Sequence, residues 1–448
     1  MEFQNLLKND PTADIKEVDV QKLIQKNCDA FQAYSELSLM QRKGIINNIK
    51  AKLTPLTVKL ANMELEETGM GNVQDKIVKI ALAIDKTPGI EDLVTEVMTG
   101  DGGMTLYEYS AYGVVCALHP STNPCATLIS NTIGMLAAGN AVINIPHPRC
   151  VESSVLAAKC IDEAIYEACG IRNLVTVLNI ASKEHTNEIM YHPNVALIVA
   201  TGSDPKVHSA LQSAKRVIGA GAANPVVIVD ETADLEKAAK DIVEGATFDN
   251  GGLCISENNI VIVDSVADTF IKELRKNGVY YTNNMEEMMK LTKATVTSCM
   301  EANRLLEGKS AKEILEAAGI AVMEDIKLIV VDTVKTHPFA TCEMRMPLLP
   351  MIRAGSFERA LEIALFIEQG YRHSAYIHSQ SISRLNMAAY KMQTSIFIKN
   401  GSSLVGLGLY GDGNTSFTLA NITGEGVTTA RTFARKRRCT LTSGFSIR

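Results

Sequence analysis

From about residue 104 the chain repeats one pattern, in which a short, continuously apolar run gives way to a turn and then to a segment of helical length. VVCAL, AVINIP, NLVTVLNI and VALIVATG are such runs. NPCATLISNTIGMLAAGN, closing at Gly139, residues 151 to 168, residues 183 to 191 and a stretch from about 205 read as the helices that follow them. A strand apolar at every position has no solvent face, so it belongs inside a sheet covered on both sides. Strands and helices alternating in this way join through right-handed crossovers into a parallel, doubly wound sheet, which binds ligands at the carboxyl ends of its strands. A second set runs from about 225 to 400: VVIVD, a helix from Asp234, NNIVIVD, a helix from Ser265, IKLIVVD, a helix near 356 to 369, and TSIFIKN. The pattern predicts two α/β lobes with no low-complexity linker between them.

Residues 14 to 98 read as helical, and SLMQ at 38 to 41 has the form of a capping box, with Ser38 accepting a first-turn amide and Gln41 reaching back. The tail after 404 is rich in Gly and Thr, then basic, and ends in a strand. A chain of 448 residues, 46% hydrophobic, has material for two or three domains. Its net charge of -6 argues against nucleic-acid or anionic-membrane partners, either of which needs a basic surface. RKRR at 435 to 438 accordingly reads as a solvated face or a subunit contact. No apolar run reaches the length of a membrane span, and MEFQNLLKNDPTAD lacks the charged-then-apolar order of a secretory signal, so a cytoplasmic chain is expected. The ten cysteines include no C-x-x-C and the eight histidines no metal spacing, so no metal site is expected.

Four segments carry possible chemistry. Cys254 lies in FDNGGLCISE, a Gly-rich stretch flanked by Asp249, Asn250 and Glu257, whereas seven of the other cysteines sit in runs where any small apolar residue would serve. An accessible loop thiol is either a nucleophile or an ordinary exposed cysteine. ATGSDPK at 200 to 206 ends a strand in Thr201, Gly202 and Ser203 and opens a helix at Asp204-Pro205, which suits a phosphate or a plain capped turn equally. In HPSTNP, Asn123 stands just before a helix, where it serves either as an N-cap or as an amide donor to a developing oxyanion. GAGAAN at 219 to 224 runs into Pro225 and a strand instead of a helix, so it reads as a hinge and not as a dinucleotide-binding glycine finger.

In this order, STNP, AVINIPHP, ATGS, a Gly-containing hinge, a loop cysteine and CEMRMPLLP resemble the aldehyde dehydrogenase superfamily along nearly the whole chain. FDNGGLCISE, HSAYIHSQSISRLN and TGEGVTTARTFARKRRCTLTSGFSIR are similar to its coenzyme A-acylating propionaldehyde and acetaldehyde dehydrogenases of bacterial microcompartments. The resemblance implies Cys254 as nucleophile and Asn123 as oxyanion donor. It places Thr201, Gly202 and Ser203 at the cofactor pyrophosphate, Pro146 and His147 near the adenosine ribose, Glu343 near the nicotinamide ribose, and Ala220 on the cofactor side of the hinge. It implies a cofactor-binding domain over residues 1-218, whose hairpin near 104-113 joins an oligomerisation arm. A catalytic domain over 219-403 carries Cys254, and 404-448 returns to the first lobe and ends in an oligomerisation strand.

Two departures from the hydrolytic members bear on the reaction. Those enzymes begin the hinge with a Glu that activates water, and the corresponding residue here is Gly219. A thiol acceptor needs a general base far less than water does, which points to transfer of the acyl group to coenzyme A. The usual Lys before PHP and the acidic residue three places on are replaced by Ile145 and Pro148; with no carboxylate there to bond the 2′-hydroxyl or repel a 2′-phosphate, NAD is expected from the resemblance alone, with NADP left open. The expected partners are a short aldehyde, NAD, coenzyme A, further copies of the chain as a dimer or tetramer, and shell or cargo proteins of a microcompartment lumen. A succinic semialdehyde-type enzyme and a non-catalytic scaffold of the same fold are the alternatives. Residues 1 to 10 are too short for the N-terminal targeting helix of microcompartment relatives.

Overall fold

The computed structural model describes residues 19-180, 182-322 and 325-445. Residues 1 to 10, the place considered for a targeting extension, lie outside the described residues. The helical expectation for 14 to 98 is met by Val20–Ser35, Leu39–Leu53, Thr57–Thr68 and Val73–Lys86. Ser38 and Gln41 form the capping box at the head of the second of these. Residues 96 to 98 depart from it, because EVMTG is β1 (Glu96–Gly100) and pairs antiparallel with β2 (Gly103–Ala111).

The first lobe contains β3 (Val114–Leu118), β4 (Ala141–Ile145), β5 (Val175–Val177), β6 (Val195–Thr201) and β7 (Arg216–Ala220). They form a parallel sheet in the order β5-β4-β3-β6-β7. The helix Pro124–Ala137, buried at all 14 positions, packs against this sheet. The second lobe contains β8 (Val226–Val229), β9 (Asn259–Val263), β10 (Val279–Thr282), β11 (Leu328–Asp332), β12 (Leu348–Ala354), β13 (Ser374–His378) and β14 (Ile396–Lys399). Its seven strands are parallel in the order β10-β11-β12-β9-β8-β13-β14. Three of them were not anticipated. β12 carries Pro350 in the middle of the sheet, opposite Val331, which normally argues against a central strand. β13 opens with the polar Ser374, and β10 (VYYT) is neither continuously apolar nor alternating.

After β14 the chain returns to the first lobe through β15 (Leu419–Ala420) and β16 (Gly426–Val427), a two-stranded antiparallel pair. It ends in β17 (Ala434–Thr442), which pairs antiparallel with β2 from Ala434 opposite Ala111 to Thr442 opposite Gly103. β1, β2 and β17 make a three-stranded arm, and the basic run Arg435 to Arg438 lies on its exposed last strand.

Candidate active site

The chain passes from the carboxyl end of β7 to the amino end of β8 in residues 221-225. So short a crossover sets the carboxyl edge of the first sheet against the amino edge of the second. The carboxyl-end rule therefore holds for the first lobe only. That lobe offers the turns after β3, β4, β6 and β7, while the second offers Cys254 ahead of β9, Glu343 ahead of β12 and His373 ahead of β13. Between them is a cleft of about 400 Å³ whose walls include Asn123, His147, Ser203, Lys206, Cys254 and Glu343.

Cys254 follows a tight turn, Phe248–Gly251, in which Asp249 and Asn250 are left-handed with φ of 49° and 54°. Asp and Asn tolerate that conformation better than other side chains. Here it is held from the helical layer: the Asp249 carboxylate accepts from Asn72 N at 2.9 Å, from Lys76 Nζ at 3.1 Å and from Lys79 Nζ, while Asp249 N donates to Asp75 Oδ2 at 2.7 Å. A Cβ at Gly71 would strike this carboxylate, so only glycine allows the approach. Cys254 is half-buried and keeps partial exposure to the cleft. Burial, and next the Glu343 carboxylate, push the thiol up to about 12, opposed by its own backbone N–H and by Lys79. Cys254 thus rests as a thiol, not the exposed thiolate a loop setting suggests. Glu257 turns away from it: Ser403 N and Oγ each donate to its carboxylate at 2.8 Å, and burial pushes it up to about 8.

Asn123 occupies the N-cap position of Pro124–Ala137, yet its side chain makes no capping bond. Its Oδ1 accepts from Lys79 Nζ at 2.8 Å, and its Nδ2 donates to Thr122 Oγ1 at 3.1 Å. Asn123 and Cys254 together line both the main cleft and a second, small cavity of about 20 Å³. Ile255, Ile396, Leu407, Phe417 and Leu419 make that cavity apolar.

The expected cofactor residues divide. Ser203, His147, Ala220 and Glu343 line the cleft, as do Thr201 and Gly202. The Thr201 hydroxyl, however, is committed to Thr418 Oγ1 at 2.8 Å and the Gly202 amide to Ala220 O at 3.0 Å, which leaves Ser203 and the start of the helix Asp204–Leu211 for a phosphate. Pro146 is buried and is not among the residues that line the cleft. Burial, then Lys206, Arg149 and Arg304, push His147 down to about 4. Burial takes Lys206 down to about 8, and its Nζ donates to His119 O at 2.9 Å. A cleft walled by Arg149, Lys206, Arg304 and a helix start has the donor set for an extended dinucleotide diphosphate. Glu343 is raised by burial, with Arg345 opposing.

The reading of Gly219 as the place of an absent cleft carboxylate needs correction. A Cβ at Gly219 would lie 2.7 Å from Val207 Cγ1 and 3.5 Å from Thr423 Cγ2, inside the lobe. The hinge residues that line the cleft are Ala220, Gly221 and Ala222, none of them acidic. Sequence reasoning also missed Lys79, Lys206 and His373. The last is buried, pushed down to about 3 and within 3.1 Å of Ser374 Oγ through Nδ1. Among the described residues, no group of His, Cys, Asp and Glu is placed to hold a metal ion, and no helix is long and apolar enough to cross a membrane.

The profile of the aldehyde dehydrogenase family matches residues 10–409. A propanal dehydrogenase (CoA-propanoylating) of Citrobacter freundii is 47% identical over 430 residues, 96% of this chain and 93% of that protein. The crystal structure of Rhodopseudomonas palustris propionaldehyde dehydrogenase, with bound CoA and an acylated cysteine, superposes with a TM-score of 0.92 at 41% identity, covering 94% of this chain and 97% of that one. A propionaldehyde dehydrogenase from the fucose utilisation bacterial microcompartment of Clostridium phytofermentans gives 0.94 at 41% identity, covering 96% and 99%. With a cysteine and an amide set between a dinucleotide-sized cleft and an apolar cavity, and with likeness over nearly its whole length, the chain belongs to the aldehyde dehydrogenase family.

Proposed function

We propose that the protein is a CoA-acylating aldehyde dehydrogenase, converting propionaldehyde or acetaldehyde, NAD and coenzyme A to acyl-CoA and NADH. The observation that carries this reading is the placement of Cys254 and Asn123 on the wall shared by a long polar cleft and a small apolar cavity. In this reading the five-stranded lobe is the cofactor-binding domain and the seven-stranded lobe the catalytic domain. The Cys254 thiolate attacks the carbonyl carbon, and the Asn123 amide and the Cys254 N–H receive the resulting oxyanion. When bound, NAD brings a cationic ring that favours the thiolate and accepts the hydride released as the carbonyl re-forms. Cys254 then holds the acyl group as a thioester. The thiolate of coenzyme A attacks it and Cys254 leaves as thiolate, a near-isoenergetic exchange that runs in both directions. The hinge residues facing the cleft supply no carboxylate to activate water.

The cavity beside Cys254 has room for about one water-sized group, which suits the alkyl end of a two- or three-carbon aldehyde. No Lys or Arg is among its described lining residues, which disfavours a succinic semialdehyde-type substrate with its second carboxylate. The arm of β1, β2 and β17 exposes Val97, Met98 and Leu441, in keeping with a homo-oligomer, dimer or tetramer. Kinship with a microcompartment enzyme supports a place in such a lumen beside shell or cargo proteins. The test is NADH or NADPH formation from aldehydes of two to four carbons with and without coenzyme A. CoA-dependent turnover that disappears in Cys254→Ala is expected, and turnover indifferent to CoA overturns the reading.

A further inference from the structure

Behind Asn123 four charged side chains are closed off from solvent: Glu64 and Lys79 at 0% exposure, Lys76 and Asp249 at 1%. Glu64 Oε1 accepts from Cys125 N at 2.7 Å, one residue into the helix that Asn123 heads, while Lys76 and Lys79 both reach Asp249. A neutral quartet of this kind is expensive to desolvate, and a well-packed apolar cluster would serve stability as well. Its geometry points toward the reaction centre instead. The three protons of the Lys79 ammonium meet three acceptors, namely Thr122 O at 3.1 Å, Asn123 Oδ1 at 2.8 Å and Asp249 Oδ2. A neutral amine would turn a lone pair on one of them, so the arrangement holds the charged form.

We propose that Lys79 is a positioning residue: its ammonium fixes the Asn123 amide with Nδ2 toward the reacting carbonyl oxygen and, through Asp249, ties that amide to the loop carrying Cys254. The proposal rests on the reading of Asn123 as oxyanion donor. Lysine has no acceptor, so Oδ1 must face it and Nδ2 must face away. One N–H of Nδ2 is taken by Thr122 Oγ1 and the other is left for substrate. A cation on Oδ1 also polarises the amide and strengthens that donor. One ammonium from the helix Val73–Lys86 thereby registers a turn of the first lobe against a loop of the second, and oxyanion donors lose their effect with small displacements.

The test compares Lys79→Met, Asn123→Ala and the double variant. One readout is acylation of Cys254 by propionyl-CoA, which passes through an oxyanion. The other is alkylation of Cys254 by iodoacetamide at its high-pH limit, which does not. Each single change should slow acylation about 100-fold, and the double variant no further than Asn123→Ala alone, while the alkylation limit moves less than about threefold. Acylation by Lys79→Met within about threefold of the parent, losses that multiply in the double variant, or alkylation falling in step with acylation overturns the role of Lys79. Unimpaired acylation in Asn123→Ala sinks the oxyanion reading itself, and the Lys79 role with it. If the unbalanced charge prevents Lys79→Met from folding, Glu64→Gln with Lys79→Met restores neutrality and should show the same acylation loss.

Discussion

Replacing Gly219 with glutamate should damage the fold without creating a hydrolase. The new Cβ would sit 2.7 Å from Val207 Cγ1, closer than side chains tolerate, so β7 or the helix Asp204–Leu211 has to move. The strand is not free to do so: Gly219 N donates to Thr423 Oγ1 at 2.9 Å, and Ile422 N donates to Gly219 O at 3.2 Å. Overpacking costs about 1–3 kcal/mol. The carboxylate, buried without a partner, adds on the order of 1–3 kcal/mol more. Together these take a large share of the ~5–15 kcal/mol that holds a domain folded. Urea unfolding should show a lowered midpoint, and a CoA-free assay with propionaldehyde should show no gain in free acid. Ala220→Glu, one residue on and on the cleft wall, is the contrasting variant and should release some acid without CoA. A Gly219→Glu protein with an unchanged midpoint that releases acid without CoA would refute the orientation argued here.

Three further outcomes follow from the same geometry. Glu257 has its native carboxyl raised from 4.5 to about 8, so the folded state keeps a proton that the unfolded state has released. Stability therefore falls as pH rises through that window. Glu257→Gln, which mimics the protonated carboxyl, should remove a pH-dependent loss of a few kcal/mol, and equal urea midpoints for variant and parent at both about pH 5 and about pH 8 would contradict it. Glu343→Gln removes the charge that most opposes the Cys254 thiolate after burial, so iodoacetamide at mildly alkaline pH should alkylate Cys254 about 3–10-fold faster; an unchanged or slower rate tells against that influence. Ile396→Ala enlarges the apolar cavity and should raise kcat/KM for a four-carbon aldehyde relative to acetaldehyde by roughly 10-fold, whereas an unmoved ratio would place the alkyl group elsewhere.

How far the sequence reveals this enzyme depends on what each segment buries. β3, β4, β6, β8, β9 and β11 are legible because they are apolar at nearly every position, and the helix headed by Asp234 announces its cap. β12 is hidden by Pro350 and β13 by its polar start, since a sheet's interior can accept what local propensity rejects. Cys254 and Asn123 are legible as candidates, but their roles rest on neighbours distant in sequence. Lys76 and Lys79, read along the chain, look like part of a solvated face. The available signal was that they lie beside Ile80 and Ala83 on the helix surface that the structure buries. The direction of Gly219 was not legible at all, because one residue along a strand reverses the facing, and only the pairing of β7 with β6 fixes which way it points. The raised Cys254 thiol was missed for a related reason, as a Gly-rich loop suggests open solvent where the residue in fact sits half-buried between the two lobes.

In the proposed reaction a thioester on Cys254 waits for coenzyme A. Its most direct test is mass spectrometry of the protein after propionaldehyde and NAD are added without CoA, followed by a CoA chase. One propionyl group is expected, mapped to the peptide containing Cys254, stable in buffer and discharged as propionyl-CoA when the thiol is added. Absence of the adduct, its location on another cysteine, or loss to water as fast as to CoA would contradict it.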